Sequence, residues 1–226
     1  MPKMMIDHWM SDFYGTTWYK VDPGSTYNEP GMYESIVDSK DYDGINKLIL
    51  SGFQLVETAV EFVTLIDNFE DPIYKIRKAR QSDYNQISEL ITLNYRDNIN
   101  FYNRFKNRSF FTQAQTESYF QSTFKNYVDS SITMVYEDSL GISSFYMLKL
   151  IPSNVLTYKG ILCGNSKRVK GMNMHIEMQK ACAKLIGSPY KVINRTQMSN
   201  YKIVNNHIKS NRRLSKVEHY FYKLLR

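Results

Sequence analysis

Between residues 73 and 226 the apolar residues change period repeatedly. The order of those periods constrains the fold more than any single motif. Alternating or β-branched runs predict strands over residues 73–78, 132–137, 142–150, 156–163, 190–197 and 217–224. Helical spacing predicts helices from a Ser82-Asp83 cap to about residue 96, and over 112–128, 171–186 and 200–209. The third of these carries Met174, Met178, Ala181, Cys182 and Leu185 as a buried stripe. Asn173, Glu177, Lys180 and Lys184 lie on its other face. The resulting order, β-α-α-β-β-β-α-β-α-β, is not a string of βαβ units. It predicts an α/β (α+β) fold, a mixed sheet with helices on both faces.

The strand ending near Cys163 is followed by Lys167-Arg168-Val169-Lys170-Gly171-Met172-Asn173-Met174. A basic, glycine-containing turn that opens a helix offers unpaired backbone N–H groups and positive potential to an anion. A phosphate is the expected occupant. Arg212, Arg213 and Lys216 form a second basic cluster, read as a solvated turn or an anion contact.

Charge is unevenly spread. Residues 1–72 hold 4 Lys+Arg and 13 Asp+Glu, a net −9; residues 73–226 hold 25 and 9, a net +16. Residues 67–72 are acidic and close with Pro72, so they read as a linker. The division expected is a small acidic N-terminal domain over 1–70 and a basic domain over 73–226. In the front part, an aromatic patch at 8–15 precedes a strand at 17–21. A short helix over 41–50 is followed by β structure over 53–65. Trp9, Phe13 and Tyr14 are expected to pack its core. The basic part favours polyanionic partners, whether nucleotide-like molecules or nucleic acid.

With 12 Phe, 18 Tyr and 2 Trp the chain is not of the disordered class. No apolar run approaches the roughly 20 residues that cross a bilayer, so no membrane partner is expected. The start lacks an apolar signal region, and Cys163 and Cys182 fit a reduced, cytoplasmic chain. Two thiols and four scattered histidines make no metal-ligand spacing.

Arg168-x-x-Gly171-x-Asn173, placed between strand and helix in this element order, resembles the Arg-x-x-Gly-x-Gly/Ala loop of GNAT-type acyltransferases. Trp9-x-Ser11-Asp12-Phe13-Tyr14-Gly15 resembles the Trp-Asp-Ser-Glu-Phe-Phe-Gly opening of the dTDP-fucosamine acetyltransferase branch. The stretch from Leu50 through Gly52-Phe53-Gln54-Leu55-Val56-Glu57-Thr58 resembles the segment that ends the small front domain of that branch.

The resemblance implies a splayed sheet whose fourth and fifth strands part to admit an acyl-CoA, with no metal. Arg168, Val169, Lys170, Gly171, Met172 and Asn173 would hold its pyrophosphate. The backbone of Ile161, Leu162 and Cys163 would pair with its pantetheine arm, and Cys163 N–H would face the oxyanion. In that family an Asn is followed seven residues later by a tyrosine that protonates the leaving thiolate, and then by Gly-Phe. Counting from Asn200 the position is His207, and Asn211-Arg212 replace Gly-Phe. The acid is therefore His207 or Tyr201; Glu137 or a water chain is the candidate base. The implied activity is N-acyltransfer, of acetyl or a related acyl group, from acyl-CoA to a small primary amine, that of a nucleotide-linked amino sugar, by a homodimer. Two alternatives stay open. One is a GNAT-like protein acting on or binding modified nucleic acid or a protein amine. The other is a GNAT-like scaffold without catalysis.

Overall fold

A computed structural model describes residues 3–67, 70–96, 103–152, 156–170 and 172–226, without the side chains of Arg96 and Glu117. Gly171 of the basic turn and Asn68 and Phe69 of the expected linker lie outside the described residues.

The strands are β1 (Met4–Ile6), β2 (Trp18–Val21), β3 (Gly31–Asp38), β4 (Gln54–Ile66), β5 (Ile76–Lys78), β6 (Ile132–Asp138), β7 (Gly141–Leu150), β8 (Thr157–Asn165), β9 (Tyr190–Gln197) and β10 (Arg213–Leu225). The α-helices are α1 (His8–Tyr14), α2 (Tyr42–Leu50), α3 (Tyr84–Ile91), α4 (Gln113–Tyr127), α5 (Met174–Ile186) and α6 (Tyr201–Lys209). The ten strands form one sheet in the order β1-β2-β3-β10-β4-β9-β8-β7-β6-β5. Pairing is antiparallel except at β2/β3 and β8/β9. β4 lies between β10 and β9, so strands from both sides of Pro72 share the sheet.

Alternation along β7 sorts its side chains onto two cores. Tyr146 and Leu148 pack with Met174, Met178 and Cys182 of α5. Phe145 and Met147 pack on the other face with Ile87, Leu90 and Ile91 of α3 and Phe120 and Phe124 of α4. Each such side chain contributes roughly 1.5–3 kcal/mol on burial. Together the two clusters clamp the sheet on both sides, as the periodicity predicts.

Several elements differ from their expected form. α5 begins at Met174 rather than 171. Leu185 is 50% exposed, whereas Glu177 is buried, where its carboxylate accepts the Ile73 N–H at 2.6 Å. Asp83 does not cap α3, because its carboxylate is taken by Arg77 (2.6 and 3.0 Å) and the Arg80 N–H (2.7 Å). The aromatic patch is helix α1, capped by Asp7 and closed by Gly15 in the left-handed region (φ 65°). β3 carries no clean alternation because Glu34 and Ser35 are buried in it. Trp18 Nε1 donates to Glu34 at 3.1 Å, and Ser35 donates to the Val21 carbonyl at 2.8 Å.

Candidate active site

β8 and β9 are paired only from Thr157↔Lys191 to Lys159↔Ile193. Beyond Lys159 β8 stays with β7, while β9 stays with β4. Parallel strands that part in this way leave backbone groups without ladder partners and open a gap between them. The gap is a cleft of about 240 Å³.

Gly160 sits where the strands begin to part. A Cβ there would lie 2.6 Å from Asn194 Oδ1 on β9 and 3.0 Å from the Tyr146 hydroxyl, so only glycine lets the three strands approach so closely. Past it, Ile161, Leu162 and Cys163 line the cleft. The freed edge of β8 is met by a π-helical turn, Thr92–Arg96, which extends α3. From it the Tyr95 hydroxyl donates to the Cys163 carbonyl at 2.8 Å, and the Cys163 N–H donates to the Tyr95 hydroxyl oxygen at 3.4 Å. Asn94 Nδ2 reaches the Asn165 carbonyl at 3.2 Å. The backbone expected to pair with a pantetheine arm at Cys163 is thus held by a tyrosine. The sequence contains no spacing that ties position 95 to 163. Cys163 is exposed on the cleft, and desolvation by the protein atoms near its thiol pushes the pKa up to about 11.

The basic turn divides between two surroundings. Ser166 caps a short 3-10 turn, Lys167–Val169. Val169 is buried in the α5 core, and Lys170 is exposed. Arg168 does not line the cleft. Its Nε meets Asp138 at 2.7 Å and its Nη2 meets Ser143 Oγ at 2.7 Å, at the β6–β7 turn. Hydrogen bonds from Ser143 first, then Arg168, hold the Asp138 carboxyl down at about 2. Met172 and Asn173 do line the cleft. Asn173 is the N-cap of α5, with no hydrogen bond from its side chain to the helix. The first N–H groups of α5 have no partner within the helix, by helix geometry.

At the far wall stands α6. Its N-cap Asn200 lines the cleft, while Tyr201 is 70% exposed and does not. His207 lines it too, 3% exposed, its ring stacked on Phe62 at 4.6 Å and edge-on to His175 at 5.4 Å. Burial, then the nearby Arg212, push the His207 pKa down to about 3, so the imidazole is uncharged at neutral pH. His175 is lowered well below its usual value by burial, Arg212 and His207. A neutral hydrogen-bonded chain crosses the floor: Gln179 Nε2 donates to Tyr146 Oη (3.1 Å), which donates to Asn194 Oδ1 (2.7 Å). Burial holds the Tyr146 phenol well above its usual value.

Among the described residues no Asp or Glu lines the cleft. Glu137 lies elsewhere, exposed and paired with Arg77 at 2.7 Å. Nor do the described residues bring together three His, Cys, Asp or Glu side chains placed to hold a metal. None of the described helices is long and apolar enough to cross a membrane.

No model of a protein family matches the chain, and no curated protein does. Solved structures do match its fold. A conserved protein of unknown function from Staphylococcus epidermidis ATCC 12228 superposes with a TM-score of 0.63 at 11% identity, covering 93% of this chain and 86% of its own. A tandem GNAT protein from the clavulanic acid biosynthesis pathway gives 0.59 at 9% identity, over 93% and 76%. A GCN5-related N-acetyltransferase from Sphaerobacter thermophilus gives 0.57 at 11% identity, over 87% of this chain and 61% of that one. The ten-stranded mixed sheet flanked by helices is a GNAT-like fold.

Proposed function

We propose that the chain is a CoA-dependent N-acyltransferase acting on a small primary amine. The observation that carries the proposal is the cleft between the parallel strands β8 and β9, which opens after three paired residues and runs to the start of α5. An extended thioester arm suits such a gap, because strand edges offer it backbone partners. A diphosphate suits the mouth. There stand the Met174 and His175 N–H groups at the start of α5 and the Asn173 side chain, which makes no cap bond, while exposed Lys167 and Lys170 in the preceding turn add positive potential. Ile161 remains as backbone for the arm, and Tyr95 yields the Cys163 edge when the arm enters.

The chemistry of the wall then assigns roles. With no carboxylate from the described residues on the cleft, the amine reacts in its uncharged form and loses its proton to water. His207 offers a neutral N–H to the departing sulfur rather than an imidazolium proton, and Tyr201 stands too far out to contribute. Acyl transfer in general is supported by the fold neighbours that carry acetyltransferase names. For the acceptor, the likeness of the front segment to the dTDP-fucosamine branch favours a nucleotide-linked amino sugar.

The test is calorimetric titration with acetyl-CoA, followed by mass spectrometry of an amine panel. We expect micromolar binding that Cys163→Trp, which fills the cleft from an open wall position, weakens at least about tenfold. If acetyl-CoA gives no binding heat and no amine gains an acyl group, the proposal is wrong.

A further inference from the structure

Arg212 is buried on the cleft wall, 7% exposed, without a carboxylate partner among the described residues. It follows α6 directly. Asn211 turns the chain in the left-handed region (φ 53°), and the Arg212 N–H donates to the His207 carbonyl at 3.1 Å. Nη2 donates to Gln179 Oε1 at 2.8 Å. Nη1 is buried and meets no acceptor. The neutral chain Gln179–Tyr146–Asn194 supplies no charge to match it. Arg195, the other arginine that lines the cleft among the described residues, is already spent on Glu61 (3.5 Å) and Glu218 (2.5 Å). The two neighbouring imidazoles are held neutral, so they neither cancel nor share the charge.

A buried cation with an unmade hydrogen bond is costly, and an arriving anion removes that cost. One unshared guanidinium matches a single negative charge. A phosphate dianion would bring more charge than this wall answers, and more oxygens than Nη1 can serve. A planar carboxylate fits both limits.

We infer that Arg212 is the receptor for a carboxylate carried by one of the molecules that react in the cleft. This deepens the acyl-transfer reading and rests on it for what enters. The carboxylate has two sources: the far end of a dicarboxylic acyl chain, or an amino-acid-like amine acceptor.

Calorimetry on the full chain separates the sources with matched pairs. Succinyl-CoA against butyryl-CoA tests the acyl chain. L-alanine against L-alaninamide, with CoA saturating, tests the acceptor. Propionate against propionamide, followed through the ¹⁵N side-chain signals of His175 and His207, tests the receptor without CoA. The carboxylate member should bind about tenfold or more tightly in one of the first two pairs. Propionate should move the histidine signals where propionamide does not. Arg212→Gln should abolish both preferences, and Arg212→Lys should keep part of them. Affinities equal within about twofold in both ligand pairs, with acetyl-CoA still bound, overturn the inference and leave acyl transfer standing. Failure of every CoA ester to bind overturns acyl transfer instead, and the propionate titration then decides the receptor alone. No shift there sinks it.

Discussion

His207 and Arg212 are five residues apart, and the second helps to set the charge of the first. In the sequence, His207 stands seven residues after Asn200 and reads as an acid with an ordinary imidazole pKa. Packed under Phe62 and beside a buried guanidinium, it is pushed to about 3. A stability prediction follows, with a definite sign. A histidine lowered in the folded state binds its proton only after unfolding, so it costs nothing above about pH 6.5, the unfolded value. Stability is lost progressively as pH falls from there toward 3. Between pH 6.5 and 5, where carboxylates remain mostly ionised, His175 and His207 should each remove stability with a slope that rises from about 0.7 toward about 1.4 kcal/mol per pH unit. Urea titrations should show His207→Gln losing about half of that slope; an unchanged slope would mean that the imidazole is charged in the fold. The position of this residue was legible from spacing, but its charge state was not, because that depends on neighbours distant in sequence, such as Phe62.

At the scale of elements, the strands that frame the cleft were readable and their parting was not. β8, β9, α5 and α6 lie within a few residues of where periodicity puts them. The gap between β8 and β9 depends instead on contacts across the sheet. Gly160 sits against Asn194 and Tyr146, and Tyr95 covers the Cys163 backbone. Gly160→Ala would force its methyl into Asn194 Oδ1 and should cost about 1–3 kcal/mol. It should also break the Tyr146–Asn194 hydrogen bond, visible as faster amide exchange at residues 192–195. Exchange at the wild-type rate would show that β9 gives way freely. Arg168 teaches the same lesson from the other side. Its loop spacing points to a phosphate, yet Asp138 and Ser143, on strands the spacing does not address, already hold its guanidinium.

Across the whole molecule, the −9 and +16 segments meet in one sheet. Glu57 pairs with Arg104 at 3.1 Å and Glu34 lies 3.9 Å from it. Glu61 meets Arg195 at 3.5 Å, and Glu70 meets Lys180 at 3.2 Å. Four of the front segment's 13 acidic residues therefore answer buried or half-buried cations of the rear. β4 adds eight residue pairs with β9, from Ala59↔Gln197 to Ile66↔Tyr190, and also pairs with β10. A chain starting at Ile73 would leave both strands with bare edges and Arg104 without either carboxylate. We expect it to lack a cooperative thermal transition, and co-expression with residues 1–72 to restore one. A sharp two-state melt of the 73–226 fragment alone would refute this.

Local chemistry was enough to write the run of helices and strands along the chain, since period, caps and turn residues act within a few positions. It was enough, too, to point at the neighbourhood of α5 and α6. Long-range contact decided the rest: which strands part, that Arg195 on the cleft is spent and Arg212 is not, and that His207 is uncharged. Those outcomes depend on desolvation and on pairing between residues up to more than a hundred positions apart, and no spacing rule along one chain encodes them.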